Sequence, residues 1–239
     1  MAIASPLPRR VEPEQLDELA ANDPRAQQSR RDLRRLHRAM ASLSIQLRAL
    51  DPATVDRPPR TILELGAGDG SLMLRLAQAR AGRWPGVELT LLDRIDLVDA
   101  HTRDGFRALG WTPTSLAIDV FVWLERPAAR FDLIVANLFL HHFSAPQLQT
   151  LLAGIAARTR AFFCCEPRRG ALPLAGSHLV GLLGAGPVTR QDAVLSVHAG
   201  FRGQELSALW PTNSGWMLRE YPAGLFSHAL LAVQAQGER

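Results

Sequence analysis

The chain has 239 residues, with 27 basic and 23 acidic side chains and a formal net charge of +4. Every basic residue is Arg, and the absence of Lys excludes the usual forms of a Walker phosphate loop, a pyridoxal Schiff-base enzyme and a protein kinase. The sequence pI of about 10.2 reflects a shortage of groups that titrate between pH 7 and the Arg range, since there are only two Cys and one Tyr; a charge of +4 argues against a stable nucleic-acid partner.

The length fits one domain, or one domain with an extension, and a hydrophobic content of 47% supplies a large core. Cys164 and Cys165 are adjacent in an apolar run, which excludes a disulfide framework and speaks against a metal site. Residues 1–10 hold no apolar stretch of signal-peptide type. The weakly polar stretch 171–188 is interrupted by Pro173, His178, several Gly and Pro187, so no membrane span is expected. A cytoplasmic protein is the reading.

Residues 1–10 read as disordered and residues 12–21 as a short helix. Asp23-Pro24 is a helix-start signal. From there Leu33, Leu36, Met40, Leu43, Leu47 and Leu50 recur at three- and four-residue spacing, which predicts one long helix with a single apolar stripe. Arg30, Arg31, Arg34, Arg35 and Arg38 cover its other faces. Such a helix either docks a dimer partner or an acidic ligand, or packs on the main domain with a solvated Arg face; the plainer second reading is adopted. Residues 51–59 form a Pro-containing linker. The division is a helical extension, 1–55, and a main domain, 56–239.

Beyond the linker, strands are predicted at 61–65, 87–92, 115–119, 131–138 and 161–165, with helices at 71–81, 97–109 and 146–157. After a looser stretch, 167–200, a helix is predicted at 203–209. Strands at 216–221 and 228–233 are joined tightly enough for an antiparallel hairpin. This alternation predicts an α/β fold with seven strands, mostly parallel, closed by an antiparallel last strand.

The sharpest motif is Glu64-Leu65-Gly66-Ala67-Gly68-Asp69-Gly70, where the first strand turns into a helix. The glycines permit a tight turn and close approach of a ligand. A dinucleotide fingerprint places its third Gly three residues after the second; here the interval is two, which disfavours a nicotinamide-dependent dehydrogenase. The carboxylate of Glu64 at the strand end suits a cationic ligand better than a pyrophosphate.

On these residues the chain resembles the class I S-adenosylmethionine-dependent methyltransferases, whose first motif is an acidic residue followed by Gly-x-Gly-x-Gly. The resemblance implies a Rossmann-like fold and S-adenosylmethionine as cofactor, with Glu64, Gly66, Ala67 and Gly68 at its methionine end. Asp93, followed by Arg94, ends the second strand, where a carboxylate takes both ribose hydroxyls. Asp119, beside apolar Val120, ends the third; it either accepts from the adenine amino group or caps the next turn. Asn137 and Leu138 end the fourth strand, in the loop the family places beside the sulfonium and the methyl acceptor.

The acceptor is not fixed by these motifs. Nucleobase-amine methyltransferases carry Pro-Pro-Tyr after the Asn, whereas this chain has Leu138-Phe139-Leu140 followed by His141-His142, as in small-molecule members. A hydroxyl acceptor must lose its proton. Without Lys, His141 or His142 is the natural base, with the other structural, because adjacent side chains seldom point the same way. The segment 167–200 lies where the family inserts a substrate cap. Its Leu172, Leu174, Leu179, Val180, Leu182 and Leu183 either receive an apolar acceptor or fill the core. The run Glu166-Pro-Arg168-Arg169 either steers an acidic group or is solvated. The expected activity is methyl transfer to a hydroxyl or carbon of a small apolar or aromatic molecule. The alternatives are an RNA- or protein-modifying enzyme that docks through the Arg-rich helix and a non-catalytic protein of the same fold; a homodimer is compatible with each.

Overall fold

The computed structural model describes residues 7–212 and 215–235. In chain order its elements are α1 (Gln15–Glu18), α2 (Pro24–Ala39), α3 (Ser42–Thr54), β1 (Thr61–Leu65), α4 (Ser71–Arg80), β2 (Glu88–Asp93), α5 (Ala100–Ala108), β3 (Thr112–Ala117), α6 (Val120–Leu124), β4 (Phe131–Asn137), α7 (Ala145–Ala156), β5 (Thr159–Pro167), α8 (Ala171–His178), α9 (Pro187–Ala199), β6 (Trp216–Ala223) and β7 (Ser227–Gln234). The seven strands form one sheet in the order β3-β2-β1-β4-β5-β7-β6. β1 to β5 pair in parallel, and β7 runs antiparallel to both β5 and β6. This is the expected Rossmann-like α/β sheet with an antiparallel last strand. Strand order reverses between β1 and β4, and in such sheets a crevice opens there beyond the carboxyl ends of the strands.

Alternation along the central strands divides the core into two layers. Ile62, Leu91, Leu133, Val135 and Phe163 pack on one face with Leu50, Met73, Leu76, Phe106 and Trp111. Leu63, Leu65, Ile134, Ala136 and Phe162 pack on the other with Leu148, Leu151, Leu152 and Ile155 of α7. Cys164 and Cys165 fall on opposite faces, both buried and free. Burial pushes the Cys165 thiol up to about 12, which leaves it an inert core residue.

Four expectations need correction. The long helix is two helices. Met40 N–H closes α2 on Leu36 O at 2.8 Å, and Ala41 takes a left-handed conformation with φ 55°. One straight helix would separate Leu33 from Leu50 by about 25 Å along a single line. The break lets α3 lay Ile45, Ala49 and Leu50 on the sheet while α2 crosses to α9. Buried Asp32 ties that crossing, accepting from Gly186 N at 2.7 Å and Thr189 Oγ1 at 3.0 Å. Second, the linker is shorter than expected, because α3 runs through Pro52 to Thr54. Third, the helix at 203–209 is reduced to a 3-10 turn, Ser207–Leu209.

Fourth, the described part of the N-terminal stretch is anchored. Arg9 donates to the carbonyls of Ala199 (2.8 Å), His141 (3.1 Å) and Phe143 (2.9 Å), and Arg10 N to His198 O (3.1 Å). The remainder of that expectation, residues 1–6, lies outside the described residues. The looser stretch 167–200 holds α8, a 3-10 turn Val180–Leu183 and α9. Among the described residues no helix is long and apolar enough to cross a membrane.

Candidate active site

Gly66, Gly68 and Gly70 all have left-handed φ, at 67°, 54° and 71°. The loop is drawn across β2 by Ala67 N donating to Leu92 O at 3.0 Å. A Cβ on Gly66 would stand 2.4 Å from the Phe139 ring, so that position is closed to a side chain; one on Gly68 would meet nothing within 4 Å, so the loop is open there. Gly68 N donates to Asp93 Oδ2 at 2.8 Å. Among the described residues Asp93 Oδ1 receives only a long contact from Ile95 N, 3.4 Å, which leaves it able to accept from a ligand. Asp69 accepts from Ser71 N at 3.0 Å and pairs with Arg34 of α2 at 2.6 Å. Burial opposes ionisation of Asp69, but the Ser71 and Arg34 bonds outweigh it and lower its pKa.

Glu64 is 4% exposed, and its Oε2 has no partner among the described residues. Burial, then the charges of Asp69 and Asp93, push its carboxyl well above the usual range. A buried acid of this kind becomes ionised when a cation arrives beside it.

Asp119 caps α6, its Oδ1 accepting from Phe121 N at 2.8 Å. The capping reading therefore holds, and Asp119 and Val120 still face the same cavity as Asp93. Arg94 reaches Asp17 of α1 at 3.0 Å. Asn137 Nδ2 donates to His37 Nε2 of α2 at 3.3 Å. Desolvation holds His37 down to about 4, against Asp69 (raising) and with Arg75 (lowering), so it is neutral. Leu138 turns the chain with φ 51°, its N–H on Cys165 O at 2.9 Å.

Past Leu138 the loop wraps around one side chain. Glu166, fully buried at the end of β5, accepts from the backbone N–H groups of Phe139 (3.1 Å), Leu140 (3.0 Å) and His141 (3.3 Å) and faces His141 Nδ1 at 2.9 Å. The 3-10 turn Leu140–His142 then brings two adjacent imidazoles to the same side. Their ring centroids are 4.1 Å apart, and both reach Glu14, His141 Nε2 at 3.2 Å and His142 Nε2 at 3.4 Å. The expectation that the two side chains diverge is thus corrected, because a turn rather than a strand carries them. Burial works against a charge on His141, but hydrogen bonds and the charges of Glu14 and Glu166 raise it to about 9. His142 is partly exposed and has Nδ1 on Phe139 O at 3.0 Å. Glu14 is also bonded by Ser196 of α9.

Two cavities meet here. The first, about 510 Å³, is lined by Glu64, Gly66, Ala67, Gly68, Asp93, Arg94, Asp119, Val120, Asn137, Leu138, His141 and His142, so every anticipated site residue faces it. The second, about 380 Å³, is walled by Leu33, Leu36 and Met40 of α2 and by Leu179, Val180 and Leu183 near α8. The core-filling alternative for 167–200 fails for these positions: Leu179, Leu182 and Leu183 are half exposed or more. Glu14, Leu16, Leu33, Leu138 and Ser196 border both cavities.

Residues 62–161 match a protein-family model described as a methyltransferase domain. The match runs from β1 to the start of β5 and so takes in the glycine loop, Asp93, Asp119 and the histidine turn. No curated protein sequence matches the chain. Among solved structures, the fold is similar to that of the plantazolicin methyltransferase BpumL in complex with SAH, with 14% identity, TM-score 0.64, and 89% of this chain and 91% of that one covered. It is also similar to an O-methyltransferase family protein from Burkholderia thailandensis (17%, 0.57, 85% and 57%) and to magnesium protoporphyrin IX methyltransferase from Synechocystis (15%, 0.51, 83% and 84%). The chain therefore spans little more than half the length of the Burkholderia protein.

Several residues of this site are not marked by any local pattern in the sequence. Glu14, Asp17, Arg34 and His37 lie in the helical extension, far along the chain from the motifs they meet. The run Glu166-Pro-Arg168-Arg169 neither steers an acidic group nor is solvated at Glu166 and Arg169, which are buried. Instead Glu166 organises the histidine loop, and buried Arg169 clamps the carbonyls of Leu7 (2.9 Å) and Gly200 and the carboxylate of Glu205.

Proposed function

We propose that the protein moves the methyl group of S-adenosylmethionine to a hydroxyl, or a carbon, of a small apolar molecule. The observation that carries this reading is the pairing of an acid-lined cavity at the strand ends with an apolar cavity across Leu138 and Glu14. The residues of the first fit the cofactor. Its volume is in the range of about 300–1,000 Å³ typical of ligand pockets, Gly68 opens the loop, and the orphaned Glu64 oxygen calls for a donor or cation.

In this reading Glu64, Gly66, Ala67 and Gly68 hold the methionine end. Asp93 takes the ribose hydroxyls, with Arg94 beside it, and Asp119 and Val120 border the adenine. The cofactor supplies a methyl group on a positively charged sulfur. Asn137, held by His37, and Leu138 form the partition at which acceptor and methyl meet, so the main contribution of the chain is alignment. The apolar side is built by α2 of the extension, 1–55, and by the cap, 167–200, which excludes water from the acceptor. Proton removal from a hydroxyl falls to His142, the partly exposed imidazole, while His141, which Glu14 and Glu166 hold charged, positions it. Two buried free thiols suit a reducing, cytoplasmic setting.

Docking of RNA or protein through the Arg helix finds less support. Arg30 is bonded to Ala21 O, Arg31 to Gln28, Arg34 to Asp69 and Arg35 to Asp32. Calorimetry with S-adenosylhomocysteine tests the reading. The wild type binds, and Asp93→Ala weakens binding at least tenfold. Labelled methyl from S-adenosylmethionine should appear on apolar phenols and not on RNA or protein. Absence of cofactor binding, or label on macromolecules, defeats it.

A further inference from the structure

We propose that Glu14, His141 and His142 bind a divalent transition-metal cation, with Zn²⁺ the best match to the ligand set, at the boundary of the two cavities. Each imidazole has its Nδ1 already committed. His141 Nδ1–H points at Glu166 Oε2, 2.9 Å away, and His142 Nδ1–H at the carbonyl of Phe139, 3.0 Å away. In the neutral tautomer, which a cation would enforce by displacing the proton that Glu14 and Glu166 otherwise hold on His141, each Nε2 carries a lone pair. The two lone pairs face the two oxygens of one carboxylate, His141 Nε2 on Glu14 Oε1 at 3.2 Å and His142 Nε2 on Glu14 Oε2 at 3.4 Å, and one ligand atom from each of the three residues lies within 4.8 Å of the others. Three acceptors facing one another need positive charge between them, either as added protons or as one dication.

The two nitrogen–oxygen separations are those a dication bridged by both carboxylate oxygens would hold. Metal–ligand bonds of about 2.1 Å at angles between square and tetrahedral place ligand atoms about 3.0–3.4 Å apart. Every ligand also has the outer partner that metal sites require: Glu166 for His141, Phe139 O for His142, and the Ser196 hydroxyl for Glu14. Asp17 Oδ2 stands 3.7 Å from His142 Nε2, a further acidic group facing the cluster, while its other oxygen is held by Arg94. Two His and one carboxylate leave a coordination position open. Glu14, shared by both cavities, puts that position where an acceptor hydroxyl would sit.

The chemical consequence rests on the methyltransferase reading above. A hydroxyl bound to the cation loses its proton to water at a lower pH. The resulting oxygen anion attacks the methyl carbon, forming O–CH₃ as S–CH₃ breaks. The bonding pair returns to sulfur, which leaves neutral S-adenosylhomocysteine.

Cation binding is measured without cofactor, so it stands apart from methyl transfer. Untagged protein is stripped with a chelator and titrated with Zn²⁺ by calorimetry and with Co²⁺ by visible absorption. One cation per chain is expected, with Glu14→Gln and His142→Ala each weakening it at least tenfold and exposed His178→Ala leaving it unchanged. His142 is partly exposed, so His142→Ala should keep its melting temperature. Failure of wild type to bind Zn²⁺ below about 100 µM, or equal affinity in Glu14→Gln and His142→Ala, overturns the site. If it binds, stripping should lower turnover at least tenfold while S-adenosylhomocysteine affinity holds, and Zn²⁺ should restore it. Undiminished turnover of the stripped enzyme overturns the activating role and leaves the methyltransferase reading intact.

Discussion

Replacing Gly66 by Ala asks two things of the cofactor loop at once. The residue sits at φ 67°, where a side chain costs about 1–2 kcal/mol. Its new Cβ would also lie 2.4 Å from the Phe139 ring, so the ring must retreat by about 1 Å to reach ordinary contact. Phe139 has little room, because it packs edge-on against Phe143 at 5.0 Å and its N–H is fixed on Glu166. Overpacking of this kind costs about 1–3 kcal/mol. The total, about 2–5 kcal/mol, should lower the melting temperature by about 5–15 °C for a chain of this size.

Gly68→Ala is the internal comparison. It shares the left-handed φ, 54°, but its Cβ meets nothing, so stability should fall by only about 1–2 kcal/mol. Its methyl group instead enters the open face of the loop, where S-adenosylhomocysteine affinity should drop at least tenfold. Adding Phe139→Ala to Gly66→Ala should remove the steric part, read as a coupling of about 1 kcal/mol or more in a double-mutant cycle. A Gly66→Ala protein melting within 2 °C or so of wild type, about the shift that 1 kcal/mol would give, or a cycle without coupling, would refute the reasoning.

His37 sets a pH dependence of stability. It is held down to about 4 from an ordinary 6.5 by burial, so the unfolded chain binds the extra proton first. Stability should therefore be full above pH 6.5 and fall by up to about 3 kcal/mol as pH drops toward 4. Urea midpoints across that window check this, and His37→Gln should flatten the slope by that share. Leu138→Gly relieves the strain of φ 51°, which is worth about 1 kcal/mol, yet it removes the wall between the cavities. Turnover should fall with cofactor affinity unchanged; equal turnover would show that the partition has no role.

The parts legible in the sequence are those coded locally. Buried parallel strands carry apolar runs, and a Gly-rich turn after β1 with Asp93 at the end of β2 marks a ligand edge in any open α/β sheet. The extension was harder, since periodicity reports a stripe but not a bend. One left-handed residue, Ala41, sends half of the leucine stripe to the sheet and half to the wall of a cavity. Glu14 and the histidines are 127 or more residues apart, and no local signal links them. Glu166 sits in a charged run that reads as surface, yet it is buried because backbone N–H groups from the loop after β4 replace its solvation.

The four-residue helix α1 is too short to persist alone. Its order is borrowed from Asp192 of α9, whose two carboxylate oxygens accept from Gln15 N (2.8 Å) and Leu16 N (3.0 Å). Glu14 therefore depends for its place on residues more than 170 positions later, so losing the Asp192 contacts should open the site while the sheet stays folded. Exchange of those two amide protons should accordingly report the opening of the site and run faster than that of the sheet.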